Sequence, residues 1–391
     1  MKSDSENKRV EGDLKNGLKG IRARLGLSQN ELAQRAGVAR QTIGGIEAAL
    51  YAPSAAVALR LARALGCRVE DLFWLEEEIA PTLSVTRAQS ENDKAPVDEG
   101  ERLLVGQVGG KWVGHALSGD AAFRSELLPA DALALPTRKK AASDRWDVQL
   151  LDSTDSLART VLIAGCSPAI SLWTRSTQRW HPGLRPTWIH ANSTQALEAL
   201  ARGEVHIAGL HLCDPQTGED NVPFVRELLG SGSVTIINFG VWDEGLMLQS
   251  GNPRQIRQLT DLTRETVRFI NRESGAGARL LFDTLLKEAK VSSDTVRGYE
   301  ETVPSHQAVA RQVCSGRADA GMGTAAMAQI YGLDFLPLRS VRFDLAVRTE
   351  FLKEEPVNQL FETLSHKAVR LQLQKLGGYD TTRAGDVVAC V

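Results

Sequence analysis

Apolar positions follow two regimes along the chain. Up to about residue 75 they recur at helical spacing, and beyond about residue 147 they come as short runs separated by amphipathic stretches. Leu14, Leu18, Ile21 and Leu25 fall at i, i+4, i+7 and i+11, which predicts one helical stripe ending near Gly26. Ser28 then has the chemistry of an N-cap, and Glu31 completes a capping box. Ala33, Gly37, Ile43 and Ile46 sit where two short helices joined by a tight turn would touch most closely. Small Ala33 allows a near right-angle crossing, Gly37 supplies a left-handed turn, and Val38, Ile43 and Ile46 face back onto Leu32 and Ala36. After Pro53, Ser54 predicts the cap of a helix with Val57, Leu61, Ala64 and Leu65 on one face and Gly66 at its end. Val69 to Leu75 closes that bundle.

Two short helices around Gly37 describe a helix-turn-helix, whose second helix lies in the major groove. On that geometry Arg40, Gln41 and Thr42 occupy the groove-facing start of the second helix, and Gln29 opens the first beside a phosphate. Gly44 and Gly45 lie inside the recognition helix, each lowering its stability by roughly 1 kcal/mol relative to Ala. Two readings of them stay open: close approach to the DNA backbone, or a helix that is soft until bound. Charge favours a nucleic-acid partner for this part of the chain. Lys15 to Arg68 holds nine Lys or Arg against Glu31 and Glu47, a surplus of seven, whereas Val69 to Glu101 holds two basic and ten acidic residues. The stretches LSQNELAQRAGV, RQTIGGIE and LRLARALGCRVEDLF resemble the phage Cro-type helix-turn-helix family. A DNA-binding head over residues 12–75 is expected. Because one short helix touches too few bases to specify a site, so is a homodimer.

Residues 76–101 are acidic, contain Pro and Ser and show no apolar period, which predicts a linker. Residues 102–146 form a small β-containing segment, in which ERLLVGQV and KWVGHAL flank the turn pair Gly109-Gly110 as a hairpin. Arg138, Lys139 and Lys140 fit a solvated basic loop better than a DNA contact.

From Asp147 onward strands and helices alternate. Thr160–Ala164, Thr187–His190, Val205–Leu210, Val234–Phe239, Val267–Ile270 and Ala318–Met322 are short apolar runs, with amphipathic helices such as Thr194–Arg202 and Ala278–Ala289 between most of them. That is the α/β signature of buried parallel sheet, with too many strands for one compact half. Crossing segments are expected near Phe239–Gly251 and Phe335–Val347, giving two lobes around a cleft. Polar helix starts follow the strands. Gly165-Cys166-Ser167-Pro168 places Ser167 as N-cap, Asn192-Ser193 caps the next helix, and Ser274-Gly275-Ala276-Gly277 precedes Arg279. Three such starts aimed at one cleft, with Arg279 adding a full charge, suit a small oxyanion.

Here IAGCSPAISL, GEVHIAGLHL, LMLQSGNPRQI, RFINRESGAGARLLFD, RGYEETVPSHQAVARQVCSGRADAGMG and GLDFLPL resemble the type II periplasmic-binding-protein superfamily, in its cytoplasmic branch fused to DNA-binding heads. The resemblance implies a two-lobed ligand-sensing domain over residues 147–391, and an effector connected with molybdate, tungstate or molybdenum-cofactor metabolism. Carried over by position, the ligand contacts are Cys166, Ser167, Ser193, Ser274, Gly275, Ala276, Gly277 and Arg279, with His211, Tyr299 and His306 as weaker candidates. The family loop more often carries hydroxyls where Ala276 and Ala278 stand, which leaves the anion's identity open.

The expected architecture is therefore multidomain, an all-α helix-turn-helix head plus a two-lobed α/β periplasmic-binding-protein-like domain. With 391 residues, 42% hydrophobic, and a net charge of −2, the chain is long enough for several cores and is no bulk polyanion binder. The polar N-terminus lacks an apolar signal region and no run approaches a membrane span, so a cytoplasmic location is expected. Cys67, Cys166, Cys213, Cys314 and Cys390 include no C-x-x-C pair, and His211 with Cys213 fits ordinary strand-end residues better than a metal pair, so no metal is expected. No nucleophile elbow or paired-carboxylate set stands out, and no catalytic residue is named. A regulator that binds operator DNA and senses a small oxyanion is the leading expectation. The alternative is an enzyme or accessory protein of molybdopterin metabolism that carries a DNA-binding head.

Overall fold

The computed structural model describes residues 14–75, 81–89, 99–122, 127–136, 145–230 and 232–391. Arg138, Lys139 and Lys140 lie outside the described residues. The chain divides at Pro81/Thr82 into two compact units, taken separately below.

The head comprises strand β1 (Leu14–Asn16), helices α1 (Leu18–Arg24), α2 (Gln29–Ala36), α3 (Arg40–Glu47), α4 (Ala55–Leu65) and α5 (Val69–Leu72), and strand β2 (Phe73–Leu75). The capping chemistry falls where the sequence puts it. Ser28 Oγ accepts from Glu31 N while the Glu31 carboxylate accepts from Ser28 N, and Ser54 Oγ accepts from Val57 N. Gly37 and Gly66 close α2 and α4 with φ of 64° and 70°. Leu18, Leu32, Ile43, Ile46, Leu61 and Leu72 form the core. The expected first helix is too long, however. Leu14 belongs to β1, which pairs antiparallel with β2, and Asn16 Nδ2 donates to Ile46 O at 2.8 Å, so the helix starts only after Gly17. Leu25 is 50% exposed, because α1 ends at Arg24 and the stripe turns to solvent.

The second unit opens with a closed barrel of β3 (Thr82–Arg87), β4 (Arg102–Val108), β5 (Lys111–Ala116), β6 (Ala132–Ala134) and β7 (Arg145–Leu150). The hairpin β4–β5 turns at Gly109-Gly110, both with positive φ. The expected linker over 76–101 is corrected here. Thr82–Arg87 alternates apolar and polar positions, and Val85 enters the barrel core, although the surrounding acidic residues hide that period. The barrel is packed onto the rest of this unit. His206 Nε2 meets Gln107 O at 2.9 Å, and the Arg185 guanidinium donates to the buried Asp131 carboxylate.

Helix α6 (Thr154–Leu157) leads into a ten-stranded sheet and its helices. The strands are β8 (Thr160–Gly165), β9 (Arg185–His190), β10 (Ile207–Leu210), β11 (Val234–Leu248), β12 (Phe269–Arg272), β13 (Thr302–Val303), β14 (Ala320–Thr324), β15 (Asp334–Arg348), β16 (Tyr379–Asp380) and β17 (Val387–Cys390). The helices are α7 (Ala169–Thr177), α8 (Ser193–Arg202), α9 (Val222–Leu229), α10 (Gly277–Glu288), α11 (His306–Cys314), α12 (Ala325–Ile330), α13 (Glu355–Leu364) and α14 (Lys367–Lys375). Strand order is β13-β12-β14-β11-β15-β10-β8-β9, with β16 and β17 on β11. β8, β9 and β10 pair parallel in one lobe, and β12, β13 and β14 in the other. β11 and β15 are the two expected crossovers, each a single 15-residue strand running through both lobes antiparallel to its partner. The residues Asp344–Val347 of β15 pair with β10, while Glu244–Leu248 of β11 pair with β14. Between those regions the β11–β15 register shifts at Asn238/Gly240 and Glu244/Gly245. Such bulges let a strand bend between the two lobes.

Candidate functional site

On the head, Arg40 and Gln41 are exposed in the first turn of α3, and Thr42 is half-buried with its carbonyl accepting from the Tyr51 hydroxyl at 3.3 Å. Gln29 opens α2 as expected, but its amide is engaged and donates to Glu47 Oε2 at 2.8 Å. Glu47 also receives Arg22 Nε at 2.6 Å and Nη2 at 3.1 Å. Burial pushes the Glu47 carboxyl up, but the Arg22 and Gln29 bonds outweigh it and hold the group below the usual carboxylate range. The two recognition-helix glycines separate. A Cβ at Gly44 would make ordinary contact with the Gln29 amide at 3.9 Å, whereas Gly45 is buried under Tyr51, whose ring would lie 2.5 Å from an added Cβ. Gly45 therefore serves packing inside the head rather than DNA approach, a correction to its expected role.

In the two-lobed domain the polar strand ends converge. Cys166 follows β8, Ser193 opens α8 and His211 follows β10, all from one lobe. Glu244 lies in β11 at the crossing, and the other lobe contributes Arg272 from the end of β12 and His306 from the start of α11. All six are buried. His211 Nδ1 stands 3.4 Å from Cys166 Sγ and 3.2 Å from Ser193 Oγ. On its other side His211 Nε2 is 3.9 Å from Glu244 Oε1, and His306 Nε2 is 4.0 Å from the same oxygen. Ser167 Oγ reaches the Tyr379 hydroxyl at 3.3 Å.

The electrostatics are those of a buried site. Burial raises the Glu244 carboxyl to about 8, against the pull of Arg272 and the Trp242 indole. It lowers His211 to about 3, with Arg272 adding to the effect, and raises the Cys166 thiol to about 12. Burial first, then Arg272, also lowers His306 well below the usual imidazole range. Both shifts favour the neutral imidazole. Both Glu244 oxygens, both His306 nitrogens, His211 Nε2 and Arg272 Nη1 are buried without a hydrogen-bond partner. Leaving such a group unsatisfied costs about 1–3 kcal/mol, so this concentration points to a ligand's place.

The Ser274–Gly277 loop does meet one of the other two helix starts, that of α8, but as a lobe-to-lobe seam. Asn192 Nδ2 donates to Ser274 O at 3.3 Å, and Thr194 donates to Gly275 O through N at 3.3 Å and Oγ1 at 3.0 Å. Gly277 packs so tightly that an added Cβ would lie 2.2 Å from His211 O. Ser274 is exposed, while Ala276 and Ala278 are buried. Arg279 is not aimed into the cluster. Its guanidinium pairs with Asp283 at 3.2 Å and lies 4.0 Å over the Tyr299 ring, and an i,i+4 carboxylate together with a facing aromatic claims it. The buried cation of the cluster is Arg272, paired with Glu273 at 2.9 Å. His211 and Cys213 point apart, as the strand-end reading has it, since His211 turns to Cys166 while Cys213 bridges to Asp220. Glu244 and Arg272 escaped sequence reasoning, although each is a charge set within a largely apolar stretch, VWDEGLML and RFINR.

The fold and this site define a class: a Cro/C1-type helix-turn-helix head joined to a two-lobed α/β domain of periplasmic-binding-protein type. Residues 18–72 match the helix-turn-helix family model, and residues 174–365 match that of the PBP superfamily domain. An HTH-type transcriptional regulator of Bacillus subtilis, YgzD, is 48% identical over 65 residues, covering 17% of this chain and 98% of the relative. The chain belongs, through its head, to the helix-turn-helix family. The protein YvgK of Bacillus subtilis is 36% identical over 199 residues, 51% of this chain, and the chain spans 64% of YvgK's length. A phosphate ABC transporter substrate-binding protein from Clostridium perfringens, solved with bound phosphate, has a TM-score of 0.44 and 11% identity, covering 56% of this chain and 98% of its own. Among the described residues no helix is long and apolar enough to cross a membrane.

Proposed function

We propose that this chain is a cytoplasmic, homodimeric transcription regulator that binds operator DNA through α3 and senses a small ligand held between its lobes. The observation that carries the ligand half is the group of unpartnered buried donors and acceptors on His211, Glu244, Arg272 and His306. Buried polar groups are nearly always hydrogen-bonded to protein, ordered water or a ligand, and so many unpartnered atoms gathered between two lobes support a bound ligand there. The DNA half rests on the helix-turn-helix match and on Arg40 and Gln41, side chains suited to guanine and adenine edges, standing exposed at the start of α3. Paired heads would read half-sites about 34 Å apart.

The effector reading carried from the sequence is an oxyanion, with molybdate and tungstate the first to test. Arg272 Nη1, buried and unpartnered, supports it in place of Arg279. A gel shift with the full chain on DNA upstream of its own gene, with and without added ligand, tests both halves. A retarded band whose midpoint moves with ligand is expected. An enzyme or accessory protein of molybdopterin metabolism that merely carries the head would give a band whose midpoint ignores the ligand.

A further inference from the structure

Cys166, His211 and His306 each offer a ligand atom, and the three atoms lie within 4.8 Å of one another. We propose that these three side chains, with Glu244 beside the two imidazoles, form a binding site for a borderline-soft divalent metal ion of the zinc class, and that this ion is the effector or part of it. The inference rests on the proposed reading of the interlobe cluster as the effector site, and it names the chemistry of that ligand.

The donor set decides the class. A thiolate and two imidazoles suit zinc, cobalt or copper and do not suit magnesium or calcium, which require oxygen ligands. Tetrahedral zinc with bonds of about 2.0–2.3 Å separates its ligand atoms by about 3.3–3.8 Å. The Cys166, His211 and His306 ligand atoms, all within 4.8 Å of one another, would draw in by about 1 Å to reach that spacing. Orientation is prepared too. Ser193 Oγ at 3.2 Å and Cys166 Sγ at 3.4 Å both flank His211 Nδ1, while Nε2 faces Glu244 Oε1 at 3.9 Å. Such a partner fixes the ring of a ligating histidine. Neutral imidazoles are ready donors, and the thiol and carboxyl would release protons on binding.

Charge balance supports a divalent cation over an oxyanion. The Cys166 thiolate and Glu244 carboxylate together offset two positive charges, while Arg272 is already offset by Glu273. A doubly charged oxyanion in the same place would instead face the Glu244 carboxyl and a thiol. The site also spans the seam, because Cys166 and His211 come from one lobe, His306 comes from the other and Glu244 lies on the crossing strand. An ion bound there would hold the lobes together, which is how it could act as an effector.

The test is titration of the metal-stripped, reduced full chain with Co2+, followed by optical absorption. One Co2+ per chain is expected, with a thiolate-to-cobalt charge-transfer band and tetrahedral visible bands, both displaced by Zn2+. The charge-transfer band should vanish in Cys166→Ser and persist in Cys314→Ser, whose cysteine is exposed and outside the cluster. His306→Gln should weaken Co2+ binding at least tenfold. Absence of the thiolate band in the wild-type chain at saturating Co2+, or its survival in a folded Cys166→Ser variant, overturns the site. Failure here is separable from failure of the regulatory reading. Molybdate that shifts operator affinity while Co2+ does not bind refutes the metal and leaves the regulator. One bound Co2+ with unchanged operator affinity upholds the metal site and refutes its role as effector.

Discussion

His211, delivered by one lobe, and Glu244, on the strand that crosses to the other, face each other at 3.9 Å without a hydrogen bond between them. Neither side chain is accessible, and the Glu244 oxygens have no other hydrogen-bond partner. A carboxyl in that position destabilises the ligand-free fold. Glu244→Leu, which removes the unsatisfied oxygens at similar volume, should leave the unfolding free energy of the stripped protein unchanged or raise it, on the order of 1–3 kcal/mol. It should also abolish the response to ligand. A large loss of stability in thermal melts would make Glu244 a structural residue instead.

Gly277 is the contact that lets the lobes meet, because a methyl group there would collide with the His211 backbone oxygen. Backbone cannot swing aside as a side-chain end can. Gly277→Ala should therefore hold the two lobes apart, increasing the radius of gyration in small-angle scattering and weakening ligand binding. An unchanged scattering curve would show that the seam tolerates the group.

Arg279 and Arg272 exchange roles relative to the sequence reading. Arg279→Ala loses the Asp283 pair and the Tyr299 stacking, so thermal melts should fall by about 1–2 kcal/mol with ligand affinity nearly kept. Arg272→Gln should change ligand affinity at least tenfold. Calorimetry reversing that order would restore Arg279 to the site.

In the head, Glu47 ties α1, α2 and α3 together through Arg22 and Gln29. Its carboxyl is held below the usual range, so its stabilising contribution is complete above the unfolded-state value and is lost as pH falls through the folded one. Glu47→Gln should melt lower than wild type near neutral pH, by about 1–3 kcal/mol, and the gap should close in acid. A pH-independent gap would assign the effect to packing.

The two glycines of α3 make a paired test. Gly44→Ala meets only the Gln29 amide at ordinary contact distance and should stabilise the helix by up to about 1 kcal/mol, whereas Gly45→Ala must expel the Tyr51 ring. Gly44→Ala should melt above Gly45→Ala. The reverse order would mean that Tyr51 does not hold its place over α3.

Local periodicity made most of this architecture legible. Caps at Ser28 and Ser54, left-handed glycines at 37 and 66, and the turn at Gly109-Gly110 involve neighbours in sequence, so a single chain displays them. The crossing strands were visible as apolar runs around Phe239 and Phe343, though not their continuity through both lobes. The barrel was half hidden, because β3 lies within acidic sequence and its partner β7 is some sixty residues away. For the site, Cys166, Ser167 and Ser193 were found from strand-end turn chemistry, and the structure buries all three within or beside the cluster. Arg272 and Glu244 were not found. Their significance comes from lobe-to-lobe packing between residues far apart in sequence. Arg279 drew attention instead because its loop is glycine-rich, while the partners that occupy it, Asp283 and Tyr299, become evident only in three dimensions.

The most direct test of ligand-responsive DNA binding is fluorescence anisotropy of labelled upstream DNA titrated with the full chain, at fixed salt, stripped and then saturated with ligand. Zn2+ and molybdate serve as separate arms. The expected result is specific binding whose Kd moves by roughly 5- to 150-fold with one of them in the wild type and stays fixed in Glu244→Leu. Specific binding that ignores both ligands, or a shift of the same size in Glu244→Leu, would contradict control of the head from the interlobe cluster.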